Sequence, residues 1–139
     1  MALGALATKA GTMLAVTAGL GTCQSASEMV PDSAAPFSPV YLHIDTRLLD
    51  DDLVGFIVTM KGARSKADVA DYAKCAAARY ALIRGYGFAR HVRTKVEESD
   101  GIWRGDAVYT VSAALPAGVL TLDAEVVVAN CRDDGIPTV

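Results

Sequence analysis

The stretch Phe88–Tyr109, FARHVRTKVEESDGIWRGDAVY, decides the fold. Asp100-Gly101 is a two-residue turn signal between two segments that alternate, and alternation is the mark of a half-buried strand. With those two residues at the tip, Ser99 falls opposite Ile102, Glu97 opposite Arg104, Lys95 opposite Asp106 and Val92 opposite Tyr109. Opposite charges then meet on one face of the hairpin and apolar groups on the other, which is what stabilises a cross-strand pair. This register puts Phe88, Val92 and Val96 inward. It puts His91, Arg93, Lys95 and Glu97 on a solvated, cross-paired face, so the basic residues read as sheet surface and not as an anion site.

Upstream, Ser65-Lys66-Ala67-Asp68 has the spacing of a helix start. The serine hydroxyl can cap a free amide of the first turn, and Asp68 suits the positive end of the helix dipole. Val69, Tyr72, Ala73, Ala76, Tyr80 and Ile83 recur at steps of three and four, so a helix with one apolar stripe is expected to about Arg84. Gly85 is its natural stop, because glycine takes the left-handed conformation without penalty. The alanines of the stripe let a helix approach a sheet closely.

Before the helix, Tyr41–Leu48 alternates, with Leu42, Ile44 and Leu48 on one face and His43, Asp45 and Arg47 on the other. Asp50-Asp51-Asp52 is a turn; the glycine and distal glutamate of a calcium loop are missing. Leu53–Met60, LVGFIVTM, is apolar enough to be a central strand. After the hairpin, Ala117-Gly118 can turn the chain. Val119–Val128 then reads as a fifth strand with Leu120, Leu122, Ala124 and Val126 inward. The expected fold is α+β: one helix on one face of a mainly antiparallel sheet, in the order ββαβββ, over residues 40–139.

The first 39 residues are of another kind. Met1–Lys9 holds one basic side chain, and Ala10–Leu20 is an uncharged apolar run too short to cross a bilayer as a helix. A basic residue, a short apolar run and then small residues have the form of a secretory signal peptide, here residues 1–22. Leu20-Gly21-Thr22-Cys23 resembles the bacterial lipobox, with Thr22 in place of the usual smaller residue. The resemblance implies a lipid on Cys23. Gln24, where an Asp would retain a lipoprotein at the inner membrane, implies the outer membrane facing the periplasm. Cleavage after Ser27 is the competing reading and would leave a soluble periplasmic protein. Residues 23–39 hold Pro31, Pro36 and Pro39 among Ser and Ala, and cannot build a helix or central strand. At up to ~3.3 Å per residue such a linker reaches about 50 Å.

The chain has 139 residues, 52% of them hydrophobic, and a formal net charge of −3. That supports one packed domain and argues against a nucleic-acid partner or electrostatic docking on anionic lipid. Three cysteines are an odd number for an exported protein. Once Cys23 is set aside, Cys75 and Cys131 are left, and in an oxidising compartment they should pair. Two free, buried thiols are the alternative.

Gly62, the run Val69-x-Asp71-Tyr72-Ala73, then Ala76-Ala77 and Gly85-Tyr86-x-Phe88 resemble a motif of small uncharacterised proteobacterial envelope lipoproteins. The resemblance implies an envelope location and no catalytic residue. The residues themselves agree. His43 and His91 lack a metal-ligand spacing, no serine sits in a G-x-S-x-G setting, and Gly85-Tyr86-Gly87 follows a helix instead of opening one. Trp103 reads as core. No cofactor or metal is expected. The function expected is a lipid-anchored binding or accessory module that meets another envelope protein. A small hydrolase or ligand carrier, with a site assembled only in three dimensions, is the alternative.

Overall fold

The structure, a computed structural model, describes Gly11 and residues 35–139. Cys23, all but the last five residues of the linker and, apart from Gly11, the expected signal peptide lie outside the described residues. The elements are β1 (Val40–Leu48), β2 (Leu53–Lys61), α1 (Lys66–Ile83), β3 (Phe88–Ser99), β4 (Ile102–Ser112), β5 (Thr121–Asp123) and α2 (Ala124–Asp133). The strands form one antiparallel sheet in the order β1-β2-β4-β3-β5. The class is α+β as expected.

The hairpin sets the sheet. Ser99 pairs with Ile102, Glu97 with Arg104 and Lys95 with Asp106, as the turn signal requires. Above Arg93 the register slips: His91 pairs with Tyr109 and Arg93 with Val108, so Val92 is the extra residue of a bulge. The expected pairing of Val92 with Tyr109 is therefore corrected. The bulge turns His91 inward, where its ring meets Tyr109 edge-on at 5.2 Å, and leaves Val92 53% exposed. It also shifts the ion pair: Arg93, not Lys95, reaches Asp106, at 3.2 Å. A second bulge in β1, between Tyr41 and His43, leaves Leu42 46% exposed and turns Tyr41 in against Tyr72 at 4.7 Å.

The helix α1 lies over β2, β4 and β3. Val54, Phe56, Val58 and Met60 of β2 and Val69, Ala73, Ala76, Ala77 and Ala81 of α1 are all 0% exposed. Closeness at this contact depends on Gly105 of β4. A Cβ built there would stand 2.8 Å from Val69 Cγ1, closer than such contacts come, and a tight 3.0 Å from Val58 Cγ2. The strand gives up a side chain so that an alanine-rich helix can settle onto it.

Both ends of α1 are closed by its own residues. Ser65 Oγ accepts from the Ala67 amide at 3.2 Å. Asp68 accepts from the Arg64 amide at 2.7 Å and from the Arg64 guanidinium at 2.7 and 3.1 Å, so the acidic half of the cap closes on Arg64. At the other end Gly85, at φ 80, lets the Tyr86 amide reach Ala81 O at 2.8 Å.

The expected fifth strand is corrected. Only Thr121–Asp123 is extended, and residues 124–133 form α2. Asp123 Oδ1 accepts from the amides of Glu125 and Val126, both at 3.1 Å, and this cap ends the strand. Nor does β5 extend a meander from β4. Both edges of β4 are taken, by β2 and β3, so β5 pairs with Phe88–Arg90 at the far side of β3. The helix α2 packs on α1 and ends like it, with Gly135 at φ 69 and the Ile136 amide on Cys131 O at 2.8 Å. This covers a flank of α1, which is why Cys75 and Ala78 are buried while Ile83, expected inward, is exposed.

Gly105→Ala should destabilise the chain by about 1–3 kcal/mol, because the new methyl must displace Val69. Adding Val69→Ala to that variant should recover part of the loss, and urea unfolding of the two single variants and the pair reads the coupling. A second expectation concerns acid. The Arg64 hydrogen bond holds the Asp68 carboxyl below its ordinary value of 3.8. A carboxyl depressed on folding stabilises the native state above its unfolded value, and that stabilisation is lost as pH falls through the folded value. Asp68→Asn should thus flatten the loss of urea stability between about pH 5 and pH 3. An unchanged slope would show that Asp68 does not carry it.

Candidate functional site

The side chains with chemical potential gather around α1, because its polar positions face upward and sideways from the sheet. Three features line this side.

The first lies where the linker reaches the domain. The Arg64 guanidinium stacks on the Phe37 ring at 3.6 Å from its centroid while holding Asp68. Phe37, Tyr41, Arg64, Asp71 and Asp134 edge an open hollow of about 310 Å³. Burial first, and then the Asp68 carboxylate, push the Tyr41 phenol above its ordinary value, so it stays neutral. Phe37, near the end of the expected linker, thus meets the start of α1 through Arg64.

The second is the α1–α2 seam. Cys75 and Cys131 stand at disulfide distance, with Cα atoms 5.9 Å apart and both residues buried. Cys131 was expected just past a strand; it lies instead on α2, one turn above its capping glycine. A cleft of about 160 Å³ opens beside the pair, edged by Asp71, Lys74, Asn130 and Asp134. Lys74 Nζ meets Asp71 Oδ1 at 2.7 Å, an ordinary i,i+3 surface pair.

The third lies between α1 and the β3 bulge. His91, Thr94 and Tyr109 stand below it, Lys74 and Asp71 above, and Leu120 and Leu122 at the side, around a pocket of about 210 Å³. His91 Nε2 lies 2.8 Å from Thr94 Oγ1. Tyr109 is only 3% exposed, and burial pushes its phenol well above the ordinary value, with the Asp71 carboxylate adding to the rise. It remains a neutral donor throughout the working pH range. His91, expected on the outer sheet face, is thus part of a pocket. The missed signal was the bulge, which changes the parity of every residue before it.

The other candidate residues fall as their surroundings dictate. His43 is exposed on β1. Trp103 packs half-buried against the core, as expected. Gly87 serves structure: its carbonyl accepts from the Ala124 amide at 3.0 Å and ties α2 to the start of β3. Among the described residues no group of three or more His, Cys, Asp or Glu is gathered in a way that holds a metal, and no helix is long and apolar enough to cross a membrane.

No solved structure matches the chain. An "Uncharacterized 26.9 kDa protein in nqo8 5'region" of Paracoccus denitrificans is 30% identical over 87 residues, which are 63% of this chain and 34% of that one. The chain thus spans about a third of the length of that curated relative. Residues 41–135 match the YNQ4 C-terminal domain. The match runs from the inward tyrosine of β1 to the glycine that closes α2, so it takes in every element that builds the sheet, the helix pair and the pockets between them. The chain belongs to the YNQ4 C-terminal domain family.

Proposed function

We propose that the chain is an exported envelope module, tethered through a lipid on Cys23 and facing the periplasm from the outer membrane, that binds another envelope component without catalysis of its own. The observation that carries this reading is the Cys75–Cys131 pair. Two thiols brought to bonding distance across two helices are an arrangement favoured in an oxidising compartment, and rare where glutathione keeps thiols reduced. The lipobox-like Leu20-Gly21-Thr22-Cys23 and the proline-bearing segment after it supply the route and the tether. The filled core beneath α1 favours a binding surface over a deep catalytic cleft.

A second reading, a small hydrolase or ligand carrier, is favoured by one observation: His91 and Asp71 edge the same pocket. Its shallowness, and the pairing of Asp71 with Lys74, fit carriage better than hydrolysis.

Mass spectrometry of the mature amino terminus, from cells making the full chain, separates the export readings. A diacylglyceryl adduct on Cys23 is the expected result. A free Glu28 would mean a soluble periplasmic protein, and an intact Met1 would remove export altogether. The bridge is tested separately. Dithiothreitol should slow migration on a non-reducing gel, and Cys75→Ser should cost about 4 kcal/mol by the loop-entropy relation. Both thiols open to alkylation in the untreated protein would defeat it.

A further inference from the structure

We infer that the pocket between α1 and the β3 bulge binds a small molecule with an apolar, ring-sized body and one oxygen acceptor, of the aromatic-carboxylate class. The inference stands on the pocket's geometry and does not depend on the tether.

Three observations converge there. Tyr109 is 3% exposed and edges the pocket, and its hydroxyl makes no hydrogen bond within the described residues. The hydroxyl keeps some contact with solvent, so a ligand acceptor entering the pocket would pair with it. Leu120 stands at the pocket side with φ 66, a left-handed conformation that a leucine rarely takes. Its carbonyl is held there by the His91 amide at 3.1 Å, an amide that the bulge turns towards the loop. Strain of this kind persists where the surroundings impose it, and it gathers at ligand sites. The same Leu120 side chain is 60% exposed, so an apolar ligand body would cover surface that now meets water.

The polar groups select the ligand's head. Tyr109 offers a neutral hydroxyl and Lys74 the ammonium hydrogens left by its pairing with Asp71, the pocket's one carboxylate, while His91 Nε2 is taken by Thr94. Donors outnumber acceptors, so an oxygen acceptor is preferred to an amine. Ala70, Leu120 and Leu122 supply the apolar wall. The volume of about 210 Å³ admits one substituted ring and excludes a nucleotide or an extended lipid chain.

The experiment is a titration of the ¹⁵N-labelled full chain with benzoate, benzyl alcohol and benzylamine, followed by amide shifts. Benzoate should give saturable shifts confined to residues 70–74, His91 and residues 120–122. Benzyl alcohol should bind more weakly and benzylamine not at all. Tyr109→Phe should weaken benzoate about tenfold, the loss of one hydrogen bond to a charged acceptor. Lys74→Met should weaken benzoate and leave benzyl alcohol unchanged, which decides the matter even if the tyrosine variant does not fold. Unsaturable or scattered shifts, benzylamine binding as tightly as benzoate, or benzoate affinity unmoved by both variants would overturn the proposal. So would shifts at Leu115 and Val119 that follow protein concentration alone, the mark of self-association through the exposed loop.

Discussion

The contact between Val69 and Gly105 governs the rest of the domain. A helix lying on a sheet normally stands off by the length of the intervening side chains. Here α1 brings alanines to the surface and β4 brings a glycine, so backbone meets backbone with little between. Close approach makes the core thin and dry, and it lets Tyr72, Tyr80 and Tyr109 fill the margins and not the centre. Phe56 lies between two of them, 5.7 Å from Tyr80 and 6.1 Å from Tyr109, both edge-on. Because the tyrosines are displaced to the flanks of α1, their hydroxyls end where the helix meets solvent. A thicker interface would have buried them or kept them from the pockets.

The two bulges follow from the same geometry. A short, close-packed helix covers the middle strands, and β1 and β3 must curl to reach it. Each does so by inserting one residue, Leu42 or Val92, which is left outside. Each insertion also turns the preceding aromatic residue, Tyr41 or His91, inward to pack against a second ring. A bulge near an exposed edge has a further effect. It interrupts the regular row of unpaired amides and carbonyls that would otherwise template another strand. The edge β3 is left open beyond Arg90, since β5 pairs with only its first three residues, and Val92 stands just past that point.

Much of this was legible from residue order, and the failures have identifiable causes. The hairpin could be read because Asp100-Gly101 fixes a two-residue loop and the charges then agree across it. That agreement holds as far as Arg93 and fails above it, since a bulge leaves no mark in an alternating pattern. The Ser65 cap and the Gly85 stop were legible because they are local chemistry. The helix α2 was not, because Val126-Val127-Val128 is β-branched and favours a strand on propensity. The competing signal was present: Ala124, Val127, Val128 and Cys131 recur at helical steps, and Asp123 precedes them as a cap. Tertiary packing on α1 decided between the two. The cysteine pairing survived this error, since it needed only that Cys131 return to the flank of α1. The bulge pocket could not be read at all, because its members come from α1, β3, β4 and the loop before β5, and only the slipped register brings them together.

The Cys75–Cys131 pair and the bulge pocket lie on either side of Asp71 and Lys74, so one stretch of α1 borders both. The start of α1 is capped by Arg64 and Asp68, and its middle is tied to α2 at Cys75. The pocket uses the next face around the same turns, at Ala70, Asp71 and Lys74. The Cys75–Cys131 tie and the close packing of Val69 on Gly105 restrain the helix, so the pocket's upper wall is set before any ligand arrives. Its other wall, the left-handed turn at Leu120, is held only by one amide of the bulge and a three-residue strand. One rigid wall and one strained, lightly held wall favour binding by small adjustment of the loop, with the helix as the fixed reference.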